Sequence, residues 1–110
     1  MKGTHIGEFE ELVLLTVAIL YDTAYGVAIK QEILQQTARK VTLSTVHAAL
    51  HRLEKKGFLQ SRLGEATQSR GGKRKKLFTL TSAGVAAIQR ARQQRNRLWE
   101  AIPSVALDPS

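Results

Sequence analysis

The spacing of apolar residues changes abruptly at Gly57, and this change restricts the available folds more than any other feature of the chain. Before it, Leu43, Val46, Ala49, Leu50 and Leu53 recur three and four apart, so they gather on one arc of a helix. After it, in FLQSRLG (58–64), Leu59, Ser61 and Leu63 alternate with Gln60 and Arg62, which is the period of a strand. A polar, aperiodic stretch, EATQSRGGKR (65–74), separates this strand from a second alternating run, KKLFTLT (75–81). Two strands around a polar loop with paired glycines predict a β-hairpin. Thr42 suits the N-cap of the preceding helix, and Gly57 suits the left-handed residue that ends it. A helix therefore runs straight into a hairpin.

Helical periodicity also marks the flanking segments. Glu8–Tyr21 reads as a helix with apolar residues on nearly every side, which implies one face on the domain core and another on a partner. Asp22 and Thr23 offer a cap for a second helix over Tyr25–Gln36, where Tyr25, Ala28, Ile29 and Ile33 share a face. Gly26 weakens that helix slightly. Val41 and Leu43 flank Thr42 in a segment with room for a strand residue or two. Beyond the hairpin, Thr81 can cap a final helix from Ser82 to about Ala101, closed by Pro103. Residues 1–7 read as a loose arm and SVALDPS (104–110) as a frayed end.

A chain of 110 residues supports one modest core and gains from burying a face against a second copy. The absence of cysteine excludes disulfides and thiolate metal sites, and no charged leader precedes a cleavage motif, so a soluble cytoplasmic protein is expected. The longest apolar run, LVLLTVAIL (12–20), is about half of the ~20 residues needed to cross a membrane. Charge is segregated. Residues 1–38 carry two Lys/Arg and five Asp/Glu, whereas residues 39–97 carry fifteen Lys/Arg against only Glu54 and Glu65, and the whole chain is +8. Such a cationic half is the footprint of a polyanion binder, because contacts with phosphates release condensed counterions; a merely solvated face is the plainer reading.

The order helix, helix, helix, strand, basic loop, strand, helix predicts a mostly α fold with a small β-hairpin: a winged helix-turn-helix over residues 1–81. Residues 82–110 would add a C-terminal dimerisation helix and tail within the same compact unit. In this fold the third helix enters a DNA major groove and the hairpin tip reaches the neighbouring backbone or minor groove. The outer arc of the third helix carries Ser44, Ala48, His51, Arg52 and Lys55, with Thr45 and His47 at its flanks. Ser44, Thr45, Ala48 and His51 are placed to meet base edges. Arg52 and Lys55 lie further along, where phosphate contact fixes register without reading sequence; the alternative for Arg52 is a salt bridge to a carboxylate of the first or second helix. In the wing, Gly71 and Gly72 allow close approach while Arg70, Lys73, Arg74 and Lys75 meet phosphates.

The segments GEFEELVLLTVAIL (7–20), AYGVAIKQEI (24–33), KVTLSTVHAALHRLEKKGFL (40–59), SRLGE (61–65), RGGKRKKLFTLT (70–81) and SAG (82–84) together resemble the PadR-like branch of bacterial winged-helix transcriptional repressors, over roughly residues 7–95. The resemblance implies a homodimer on an imperfect palindrome in a promoter, with the terminal helix packed on the partner's first helix. The family often has Tyr where this chain has His47, a position associated with backbone contact. A histidine there can still donate to a phosphate, in a pH-dependent manner. Phe78 likewise replaces a usual Tyr, losing one hydroxyl and keeping the packing.

Other chemistries find little support in the residues. His47 and His51 form an i, i+4 pair, but the zincin pattern needs Glu where Ala48 stands, and His5 is the only other histidine. No nucleophile elbow, phosphate loop or nucleotide fingerprint is present, so neither catalysis nor a cofactor is expected. Glu8, Glu10 and Glu11 suit the positive end of the first helix dipole. Leu12, Leu15, Ile19, Ile88, Leu98, Trp99 and Ile102 form the expected dimer interface. Trp99 either packs on the partner or lines a pocket for a small aromatic effector, of the kind some relatives in the resembled family bind. Two readings compete with a duplex-DNA regulator. A protein-interaction module would bind nucleic acid only non-specifically, and an RNA binder would be expected to carry stacking aromatics that the wing lacks.

Overall fold

The computed structural model describes residues 5–66 and 74–109. Three helices, α1 (Glu8–Leu20), α2 (Gly26–Thr37) and α3 (Leu43–Lys55), are followed by an antiparallel hairpin of β1 (Leu59–Ala66) and β2 (Arg74–Leu80) and by α4 (Ser82–Glu100). The fold is therefore mostly helical with one two-stranded sheet, as the change of period at Gly57 predicts. Short 3-10 turns cover Tyr21–Thr23 and Ser104–Leu107.

The core lies where the three helices meet the hairpin. Val13, Leu14 and Val17 of α1, Ile29 and Ile33 of α2, and Val46, Ala49, Leu50 and Leu53 of α3 are buried together, closed from the hairpin side by Phe58, Leu59 and Phe78. Burying each such large aliphatic or aromatic side chain contributes about 1.5–3 kcal/mol. Leu43 differs from its expected place in this arc: it is exposed in the first turn of α3, ahead of the point where the helix meets the core, and lies near Gly26. Phe78 is buried and Leu80 packs against the core, as the alternation of β2 requires.

Register in the hairpin pairs Leu59 with Leu80, Ser61 with Phe78 and Leu63 with Lys76, then shifts, so that Gly64 and Glu65 face Lys75 alone. This two-against-one bulge bends the base of the wing. The Phe78 N–H donates to Ala24 O at 2.8 Å, which ties β2 to the segment entering α2.

Both Thr caps are present: Thr42 Oγ1 accepts from the Thr45 N–H at 3.2 Å and Thr81 Oγ1 from the Gly84 N–H at 3.1 Å. Gly57 takes φ +83° and ends the turn after α3. Gly84 is required for a different reason, since a Cβ there would collide with Phe58 O. α4 starts hard against the strand entry.

Several boundaries differ from expectation. Asp22 and Thr23 do not cap α2; Thr23 Oγ1 instead donates back to Leu20 O at 2.7 Å, and Tyr25 occupies the N-cap position with no side-chain bond. Tyr21 leaves α1 because its φ is +53°. No strand forms at Val41, and residues 104–107 make a turn rather than a frayed end, with the Ala106 N–H donating to Pro103 O at 2.9 Å.

Candidate nucleic-acid interface

The helix α3 is divided cleanly by its own sequence. Its inner arc is buried, while Ser44, Thr45, His47, Ala48, His51, Arg52 and Lys55 are all exposed on the outer side. At its start, the Thr42 hydroxyl also contacts the hydroxyls of Thr45 at 2.8 Å and Ser44 at 3.2 Å, so the capping network orients two of the expected base-reading groups. One turn on, the His47 ring rests against the backbone of Gly26: a Cβ on Gly26 would stand 2.8 Å from His47 Cε1. The imidazole is thereby held at the junction of α2 and α3 while staying open to solvent.

At the other end, Arg52 has a carboxylate partner within the chain. Its Nε donates to Glu10 Oε2 at 3.1 Å, which is the salt-bridge alternative, although the side chain keeps 51% exposure. Lys56 Nζ reaches the same carboxylate at 2.9 and 3.1 Å and also His5 O at 2.9 Å. The Gly7 N–H adds a further bond to Glu10 Oε1 at 2.9 Å. Burial pushes the Glu10 carboxyl towards a higher pKa, but the hydrogen bonds from Gly7, Lys56 and Arg52 outweigh it and hold the group below its ordinary value. Glu10 is thus more than a dipole partner: its side chain is 8% exposed and joins the start of α1 to the end of α3. Its spacing from Gly7 is that of a capping box without the N-cap hydroxyl, the one signal of it in the sequence. Lys55 is exposed at this end as well.

Of the wing residues, Arg70, Gly71, Gly72 and Lys73 lie outside the described residues, and Arg74 opens β2. The Lys75 Nζ sits over the Tyr25 ring, 4.1 Å from the centroid. At the hairpin base, Ser61 Oγ donates to Glu54 Oε2 at 2.6 Å, and Lys76 approaches the same carboxylate at 3.8 Å.

The expected dimer residues divide into two groups. Leu12 and Ile88 are half-buried against the core, whereas Leu15, Ile19, Leu98, Trp99 and Ile102 face outward, Leu98 and Trp99 with 66% and 64% exposure. Trp99, Leu98 and Ile102 border an open depression of about 570 Å³ with Arg95 and Asn96. No helix among the described residues is long and apolar enough to cross a membrane.

This arrangement matches a known family. The family model described as "Transcriptional regulator PadR-like family" matches residues 14–90, which span the core, α3, the hairpin and the first half of α4. The chain belongs to the PadR-like family of transcriptional regulators. Among solved structures, it is similar to a PadR-like transcription factor from Bacteroides fragilis at 26% identity and TM-score 0.69, with 84% of each chain covered. A PadR family regulator from Eggerthella lenta aligns at 24% identity and TM-score 0.69, covering 94% of this chain and 88% of that one. A transcriptional regulator from Clostridium thermocellum aligns at 22% identity and TM-score 0.67, covering 87% and 93%. Comparison with curated proteins gives no match. Membership in the PadR-like family and the winged-helix fold make this chain a DNA-binding transcriptional regulator.

Proposed function

We propose that this PadR-like protein is a homodimeric repressor that occupies a two-fold symmetric promoter site. The carrying observation is the division of α3, whose inner arc is packed from Val46 to Leu53 while its outer arc presents Ser44, Thr45, His47, Ala48, His51 and Lys55 to solvent. Ser44, Thr45, Ala48 and His51 read base edges, and Lys55 with the wing cations Arg70, Lys73 and Arg74 binds phosphates. His47, propped on Gly26, donates to the backbone in place of the tyrosine frequent in the resembled family. Arg52 is assigned chiefly to holding α3 against α1 through Glu10.

The second copy covers the outward apolar residues of α1 and α4, Leu15, Ile19, Leu98, Trp99 and Ile102. With two recognition helices fixed by that contact, half-sites about one helical turn apart are bound together. A small aromatic effector lodged beside Trp99 would change their separation and release the DNA. Selection of bound duplexes from a random pool tests this function. Enrichment of a two-fold symmetric sequence, with affinity lost in Lys73→Ala/Arg74→Ala, is expected; an unenriched pool would instead mark a protein-interaction module with non-specific nucleic-acid affinity.

A further inference from the structure

Tyr25 stands where three parts of the interface converge. On one side, the preceding Ala24 O accepts the Phe78 N–H from β2 at 2.8 Å. On the other, Gly26 supports His47 and lies close to Leu43, both on α3. Above its ring sits the Lys75 ammonium at 4.1 Å, inside the range of a cation–π contact, which is about 6 Å. Lys75 in turn is the single residue opposite Gly64 and Glu65 in the hairpin bulge. The half-buried ring that seats Lys75 thus belongs to the residue between Ala24, which bonds β2, and Gly26, which meets α3.

We propose that Lys75 acts as a positioning residue that sets the angle of the wing to α3 by its seat on Tyr25, and that it contributes no phosphate contact. This rests on the DNA-binding reading of α3 and the wing. An ammonium over a ring face interacts with the electron-rich face of the ring, which holds the cation at a defined place. A phosphate that drew the ammonium off the ring would take Lys75 from that seat. The strand bearing it would then lose one of its ties to the α2 entry, keeping the Phe78 backbone bond and the packing of Phe78 and Leu80 on the core, and the base of the wing beyond those residues could tilt.

Counterion release separates the two roles. Removing a cation that neutralises one phosphate lowers the slope of log K against log salt by about 0.9, whereas a change in wing angle that leaves the phosphate contacts of Arg70, Lys73 and Arg74 made weakens binding with the slope retained. The 110-residue chain is titrated with a duplex selected from the random pool, at several salt concentrations, as wild type, Lys75→Met, Tyr25→Leu, Tyr25→Phe and the Lys75→Met/Tyr25→Leu double variant. Lys75→Met and Tyr25→Leu are each expected to weaken binding about three- to fivefold with unchanged slope. The double variant should be no weaker than either single one, and Tyr25→Phe, which keeps the ring, should bind as wild type. Thermal melting of each variant confirms the fold, and Lys75→Met carries the test alone if Tyr25→Leu does not fold. A slope reduced by about 0.9 or more in Lys75→Met would overturn the proposal in favour of a phosphate contact. Additive losses, or no loss, would overturn it as well. A wild-type protein that selects no sequence refutes the DNA-binding reading itself, an outcome distinct from any of these.

Discussion

The helices α3 and α4 begin alike and end differently. Each starts from a threonine whose hydroxyl caps the N–H three residues on, Thr45 in one case and Gly84 in the other. From its second turn α3 remains packed, through Val46, Ala49, Leu50 and Leu53, while α4 buries only Gly84 and Ala87 and is exposed throughout from Arg92 to Glu100. The difference lies in the spacing of their apolar residues. In α3 these recur in step with the helix and keep to one arc, whereas in α4 the stripe through Val85, Ile88, Ala91, Leu98 and Ile102 is broken by Arg92 and Arg95. Similar charges follow suit. Arg52 and Lys56 at the end of α3 share a buried carboxylate, but Arg95 of α4 meets Glu11 at 3.2 Å with 65% of its side chain exposed. Helix capping therefore sets where a helix starts, and core contact decides how far it is held.

The contrast can be broken most strongly inside α3. Leu50→Ala removes a side chain that is 1% exposed, and should lower unfolding free energy by about 2–5 kcal/mol in urea titration. The buried start of α4 comes next. Gly84→Ala drives a methyl into the Phe58 carbonyl and should cost about 1–3 kcal/mol by the same measurement, even though alanine is the better helix former. A loss as small as a surface substitution would mean that the first turn of α4 is not pinned to the strand entry.

Glu10→Gln should lower stability at neutral pH by about 1–3 kcal/mol, because it leaves Arg52 and Lys56 without their shared anion. The sign of the pH dependence follows from the lowered pKa. The stabilisation is complete above the ordinary glutamate value of about 4.3 and is lost as pH falls through the lower folded value. Urea midpoints of wild type and Glu10→Gln should therefore converge in acid, and a gap that persists there would assign the effect to packing. Trp99→Ala should have the smallest effect on the isolated fold, within about 0.5 kcal/mol, since Trp99 is largely exposed. Sedimentation should nevertheless reveal a weaker dimer, which separates covering by a second copy from packing within one chain.

Much of this arrangement was legible from local pattern. The Thr42 and Thr81 caps, the end at Gly57 and the inner arc of α3 depend on neighbours within a turn or two, and such short-range terms are visible in a linear string. The particular partners of Arg52 and Lys75, Glu10 and Tyr25, were not, since they lie some forty and fifty residues away. The burial of Glu10 had a similar cause. An acidic residue in the first turn of a helix looks like a dipole partner until another helix covers it.

By itself, then, the sequence determined the order of elements, the helix starts, the polar face of α3 and the gathering of positive charge in residues 39–97, because periodicity and composition act along the chain. Only the tertiary structure decided which cations are held at home and which face outward. A long, flexible side chain has many partners within reach, and the packing of α1 on α3, and of the hairpin on the α2 entry, selects among them.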